Sequence, residues 1–371
     1  MFFEEYNLYE AGDFGYHECR IPALLTTANG TILAFNEGRK FTGSDSDQID
    51  LFLRRSFDGG VSFGDVQIVA TKDGWVSGNP APVQDRTTGT IWLLFCRNQT
   101  EKVSTLDVPR SVWATSSDDD GETWDEPKEI TASVRPSHWA AWYATGPCHG
   151  IQMRSGRIVI PANHREKKQH VEDEDDYDHS HIIYSDDHGE SWKLGGSADR
   201  HTNESTVLET ADGWLYLNSR NQYCSGENVT YHRRAAWSKD GGESFSPSVS
   251  DAGLPEPRCQ GSVCRYTPAE DGPPGRGKNR VLFTNPGAPQ PRERNYLTIS
   301  LSYDECRSWP VSKVICEGPS SYSDLCIAQD GTICCLYEKG NIDNKGISTY
   351  SGDISFARFD LEWLTDGEDS L

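Results

Sequence analysis

Ser117-Asp118-Asp119-Asp120-Gly121-Glu122-Thr123-Trp124 is one of five copies of an octapeptide, Ser-x-Asp-x-Gly-x-Ser/Thr-Trp/Phe, in this chain. The others occupy 56–63, 185–192, 238–245 and 302–309, the last with Cys306 where the glycine should be. Asp58, Asp119, Asp187, Asp240 and Asp304 are therefore 61, 68, 53 and 64 residues apart. The chemistry is that of a hairpin turn: Asp accepts backbone N–H groups, Gly supplies a positive φ, and the closing aromatic packs between sheets. One copy is weak evidence; five at one period are strong.

Out of phase with it runs a second unit, a glycine turn feeding a short strand of branched and aromatic residues. It occurs at Gly30, Gly89, Gly156, Gly213, Gly277 and Gly331, at intervals of 59, 67, 57, 64 and 54 residues. Six repeats of about 60 residues, without a long helical pattern, predict an all-β chain: a six-bladed β-propeller of four-stranded antiparallel blades. The final strand, over 354–359, is expected to pair with N-terminal strands and close the ring. No linker marks a second domain, so 1–371 is expected to form one domain. The oddity is 163–181, with the run Glu172-Asp173-Glu174-Asp175-Asp176, which reads as a solvated acidic and His-rich loop inserted within a blade. Its His164, His170, His179 and His181 are weak candidates for a cation; no metal or other cofactor is expected.

Composition narrows the function. The 371 residues are 35% hydrophobic and 25% charged, enough for a large core and too apolar for disorder. No run approaches the ~20 apolar residues of a membrane span. Lys plus Arg is 35 against 57 Asp plus Glu, a net charge of −22, which argues against nucleic acid as a partner. An anionic small molecule can still bind where a few arginines overcome the global field. Eleven cysteines, without a C-x-x-C pair, suit reduced thiols. The start has neither a basic nor an apolar leader segment, so a cytoplasmic location is expected.

A propeller names no function by itself. The candidates for chemistry are ionisable residues at matching places of successive repeats. They are Cys19-Arg20-Ile21-Pro22, Glu37-Gly38-Arg39, Asp45-Ser46-Asp47-Gln48-Ile49-Asp50, Asn203-Glu204-Ser205, Leu217-Asn218-Ser219-Arg220, Arg294-Asn295-Tyr296-Leu297-Thr298-Ile299, Ser321-Tyr322-Ser323-Asp324-Leu325 and Leu336-Tyr337-Glu338. An arginine in an apolar strand is costly unless a carboxylate or a bound anion meets it.

The Arg-Ile-Pro motif, the repeated Asp boxes and the Tyr-Ser-Asp-Leu segment together resemble the retaining exo-α-sialidases of bacterial and animal type. The resemblance covers roughly residues 15 to 360 and includes 145–152 and 259–263. It implies that Arg20, Arg220 and Arg294 clamp a sugar carboxylate, for which the bidentate guanidinium is well shaped. It implies Glu338 as the carboxylate orienting Arg20, Arg39 facing the C4 side of the sugar, and Asp45 as general acid/base. Asp47 and Asp50 compete with Asp45, and Arg292 with Arg294. Tyr322 matches the nucleophile and Glu204 its base, tyrosine nucleophiles being a known exception among glycosidases. Substrates would be sialoglycoconjugates or free sialosides. Two alternatives stay open: the same chemistry on a deaminated or eight-carbon ulosonic acid, and a non-catalytic sialoglycan-binding propeller. The Asp-box residues are expected to be structural, and Trp139, Trp142 and Tyr143 to line the pocket or pack in the core.

Overall fold

In a computed structural model of the chain, residues 1–100, 109–166, 177–222, 231–271, 277–288, 293–342 and 348–371 are described. The protein is all-β. Strands follow one another as antiparallel neighbours: Glu18–Thr26, Ile32–Arg39, Ile49–Ser56 and Gln67–Ala70, then Trp75–Gln84, Ile91–Gln99, Ser111–Ser117 and Lys128–Glu129. The same meander continues through Trp139–Thr145, Ile158–Glu166, Tyr177–Ser185 and Lys193–Ser197, and through Thr202–Glu209, Leu215–Asn221, His232–Ser238 and Val249–Pro255. Ser262–Thr267, Arg280–Pro286 and Asn295–Ser302 lead into the long strand Val311–Ile327, whose second half pairs with Ile333–Ile342 and so begins the next sheet. Ile333–Ile342 pairs with Ser348–Phe359, and this last strand takes Phe3–Tyr9 as its other neighbour, Phe3 opposite Phe359.

Because strand faces alternate, each sheet buries apolar side chains against the sheets before and after it. Leu33, Phe35, Leu51 and Leu53 pack on Ile91, Leu93 and Phe95; Val83, Leu94 and Cys96 pack in turn with Ile158, Ile160 and Ile183. The core is a series of such layers.

All five Asp boxes form the same turn. The first Ser Oγ donates to the Asp at 2.6–2.9 Å and accepts the N–H of the fifth residue at 2.8–3.0 Å. That fifth residue has positive φ: 83°, 80°, 91° and 93° at Gly60, Gly121, Gly189 and Gly242, and 64° at Cys306, which bears the Cβ strain the glycines avoid. Of the six glycine turns, five carry φ between 83° and 93°, whereas Gly277 is not left-handed.

The reading of 163–181 as a solvated loop needs correction at both ends. Residues 163–166 and 177–181 are strand, with Asn163 opposite Ser180 and His164 opposite His179. His164 and His181 are fully buried: their Nδ1 atoms lie 3.0 Å apart, and His181 Nε2 meets the Tyr143 hydroxyl at 2.8 Å. Polar residues mimic a loop here because their partners are one another. His170 and the acidic run lie outside the described residues, and no metal cluster is found among those described.

Candidate functional site

The strands that open successive sheets bring their polar side chains together, and several of them depart from regular pairing. Register shifts fall between Arg20 and Ala23, Gly78 and Ala81, Thr202 and Ser205, and Ser320 and Ser323. Such bulges re-aim side chains. The first explains Arg-Ile-Pro: Pro22 has no N–H to give the ladder, and Ile21 takes φ 57°, a costly conformation for a β-branched residue. The Ile21 N–H, freed from the ladder, donates to Glu338 Oε1 at 2.9 Å.

Glu338 is completely buried and holds Arg20 in a bidentate pair, Nε to Oε1 at 3.0 Å and Nη2 to Oε2 at 3.1 Å. Burial pushes this carboxyl up, but the Arg20 charge and its hydrogen bonds outweigh that and hold it below the usual range. Its Oε2 also receives the Tyr322 N–H at 3.3 Å.

Tyr322 is 7% exposed and donates its hydroxyl to Glu204 Oε1. Arg220 Nη1 donates to Glu204 Oε2 at 2.8 Å and to the Tyr322 oxygen at 3.1 Å. The guanidinium carbons of Arg20 and Arg294 lie 5.6 and 5.5 Å from the Tyr322 ring centre. Arg294 is oriented by Ser321 Oγ at 3.1 Å and the Arg258 carbonyl at 2.7 Å. Three arginines from distant parts of the chain thus surround one phenol. Burial, then the Glu204 charge, push the phenol well above its ordinary value, while Arg220 and Arg294 oppose them.

A second cluster adjoins the first. Arg39 is fixed by Glu37 Oε2 through Nε and Nη2 at 3.1 and 2.9 Å, and by the Gly43 carbonyl at 2.6 Å. Its Nη1 then meets Asp45 Oδ1 at 2.7 Å; the Asp45 side chain is 61% exposed, in reach of a ligand. Desolvation pushes the Asp45 carboxyl up, but the charges of Arg39, Arg20 and Arg110 hold it below its ordinary value. The rival carboxylates are occupied elsewhere: Asp47 accepts from Thr42 and the Gln48 N–H, and buried Asp50 accepts from Tyr16.

The chain matches the BNR repeat-like domain family over residues 30–335. It is 33% identical to a sialidase of Micromonospora viridifaciens over 98% of this chain and 54% of that protein. To an exo-alpha-sialidase of Aspergillus fumigatus it is 32% identical, over 95% of this chain and 86% of that one. The solved Hadza microbial sialidase Hz136 superposes with a TM-score of 0.82 at 29% identity, covering 97% of this chain and 69% of that one. The chain belongs to the sialidase family. It spans about half the length of the Micromonospora relative and most of the Aspergillus one.

Arg20, Glu204, Arg220, Arg294, Tyr322 and Glu338 lie in the first of these clusters, and Arg39 and Asp45 in the second. Arg292, the competitor of Arg294, lies outside the described residues. Trp139 and Tyr143 belong to the core, and Trp142 lies beneath Arg110. Sequence reasoning missed the supports. Asp324 accepts from the Leu24, His149 and Leu325 N–H groups and from Ser262 Oγ, at 2.5–3.0 Å, and sits 2.8 Å from His149 Nδ1, tying four segments of the chain together two residues after Tyr322. Buried Arg233 pairs with buried Glu256 at 2.8 Å under the Arg220 strand. Asn79 and Arg110 were also missed; Asn79, at a bulge matching those of Arg20, Glu204 and Tyr322, is the one a positional argument could have found.

Proposed function

We propose that this sialidase-family chain is a retaining exo-α-sialidase acting on terminal α-linked sialic acids of glycoconjugates through a covalent Tyr322 intermediate. What carries this proposal is the Tyr322 hydroxyl donating to Glu204 amid Arg20, Arg220 and Arg294. The three guanidiniums bind the C1 carboxylate of a 2-keto sugar acid and set its anomeric carbon over the phenol. A carboxylate nucleophile would meet like-charge repulsion there; a neutral phenol does not. Glu204 takes the phenolic proton as the tyrosyl oxygen bonds to the anomeric carbon, and Asp45 gives its proton to the departing glycosidic oxygen. Asp45 then takes a proton from water, which attacks the same carbon; the tyrosyl oxygen leaves and recovers its proton from Glu204. Two displacements give net retention, and no step calls on a cofactor.

The fold that serves this chemistry is inferred to be a six-bladed propeller of four-stranded blades forming one domain over 1–371. Six glycine turns, five Asp boxes and the pairing of the first strand with the last support it.

Replacing Tyr322 by Phe removes the nucleophile and keeps the ring. Release of fluorophore from a 4-methylumbelliferyl sialoside should fall by roughly 10³-fold or more, with an unchanged melting temperature. Full activity in that variant would remove the mechanism.

A further inference from the structure

Arg233 and Glu256 form an ion pair whose side chains are both fully shielded from solvent, Nη1 to Oε2 at 2.8 Å. Taking two charges out of water is costly, and packed apolar residues of the same volume often stabilise a fold as well or better. What the charged pair has and apolar packing lacks is direction. Its further hydrogen bonds run to the segments that carry or hold Arg220 and Arg294.

Towards Arg294 the link is a single peptide unit. The Cys259 N–H donates to Glu256 Oε1 at 2.7 Å, and the carbonyl of the same unit, that of Arg258, accepts from Arg294 Nη2 at 2.7 Å. A trans peptide is planar, with its N–H and C=O pointing opposite ways, so holding one end at Glu256 aims the other at Arg294. Arg258 takes φ 61°, a left-handed conformation that costs free energy in a residue with a Cβ and persists only where its surroundings enforce it. The Cys259 carbonyl is held in turn by Arg233 Nη1 at 2.6 Å. The ion pair therefore grips Cys259 by both its N–H and its carbonyl.

Towards Arg220 the link is a neighbouring strand. Arg233 lies on His232–Ser238, which pairs with Leu215–Asn221. Its Nε donates to Asn218 Oδ1 at 2.6 Å, and Glu256 Oε2 accepts the Asn221 N–H, in the peptide that follows Arg220, at 3.4 Å. One carboxylate thus holds the backbone beside Arg220 with one oxygen and the peptide that aims Arg294 with the other. Resting on the hydrolase reading above, in which both arginines bind the sugar carboxylate, we propose that Arg233 and Glu256 are positioning residues that set the spacing of Arg220 and Arg294.

The test measures the Kd of 2,3-dehydro-N-acetylneuraminic acid by NMR titration, well below the melting temperature of each protein. Glu256→Gln keeps the side chain's size and one accepting oxygen but removes the charge. Its Kd should rise about tenfold to a hundredfold, the effect of a clamp held out of place. In an Arg294→Met background, with no arginine left for that peptide to aim, the same substitution should cost at most about threefold. A merely structural pair would weaken binding by one factor in both backgrounds. That result, or unchanged binding by a folded Glu256→Gln, would overturn the proposal. Should Glu256→Gln not fold, Arg233→Lys, which keeps the charge but has a single nitrogen to share, is judged by the same two factors. Binding needs no turnover: a parent protein that binds the probe but releases no fluorophore from the 4-methylumbelliferyl sialoside strikes the hydrolase reading alone. One that does not bind the probe overturns the clamp and this proposal together.

Discussion

Arg39 spends three of its nitrogens on Glu37 and Gly43 and still reaches Asp45 at 2.7 Å. The ion pair has a kinetic consequence at the level of one proton. In its proposed role of general acid, Asp45 must carry a hydrogen, yet in the free protein the charges of Arg39, Arg20 and Arg110 outweigh desolvation and hold its carboxyl below the ordinary value. Removing the nearest positive charge destabilises the carboxylate, raises that pKa, and leaves more of the protein protonated at any given pH. For Arg39→Met the alkaline limb of the kcat/KM profile should therefore move to higher pH, alongside a raised KM. A profile that stays in place or moves to lower pH would show that Asp45 is not the acid governed by Arg39.

The strand is the scale at which the sequence was partly opaque. Arg20, Glu204, Arg220, Arg294 and Tyr322 were legible because their proposed tasks admit few residue types: a planar cation for a carboxylate, a neutral phenol beside a base. Of the bulges, those at Arg20 and Asn79 carry a proline, Pro22 and Pro80, but those at Glu204 and Tyr322 carry none, so no common mark led to Asn79, and Arg110 went unremarked with it. The ends of 163–181 misled in the opposite direction, since histidines and aspartates look solvated unless their partners are known; Asp178 is fully buried against Arg165 at 2.7 Å. These paired strands carry their own pH dependence. Burial, aided by the His179 charge, pushes His181 down to about 3, against an ordinary value near 6.5. The unfolded chain then binds a proton that the folded one refuses, so stability falls as pH drops from about 6.5 towards 3, by at most about 1.4 kcal/mol per pH unit for this residue. His181→Gln should flatten the slope of urea-unfolding free energy between pH 6.5 and 5 even if it lowers stability at pH 7. An unaltered slope would assign the acid sensitivity to other groups.

At the scale of the whole molecule, the first strand meets the last along a single seam. Phe3–Tyr9 lies along Ser348–Phe359, with Phe3 stacked on Trp363 at 4.7 Å and Leu8 and Tyr9 buried with Phe52, Ile354 and Phe356. The same terminal strand pairs on its other side with Ile333–Ile342, where Ile354 stands opposite Glu338. The seam is thus one strand away from the carboxylate that holds Arg20. Deleting residues 1–9 exposes apolar side chains worth about 2 kcal/mol each and leaves an unpaired edge prone to association. For a chain of this size, losing a few such side chains corresponds to a melting temperature lower by on the order of 10 °C. Activity should fail at a correspondingly lower temperature, because loosening Ser348–Phe359 frees Glu338 and with it Arg20, the proposed clamp on the sugar carboxylate. Thermal unfolding and residual activity of the truncated protein, followed together over one temperature series, test both halves. A truncated protein that melts within about 2 °C of the full chain would mean that the sheets close without the first strand.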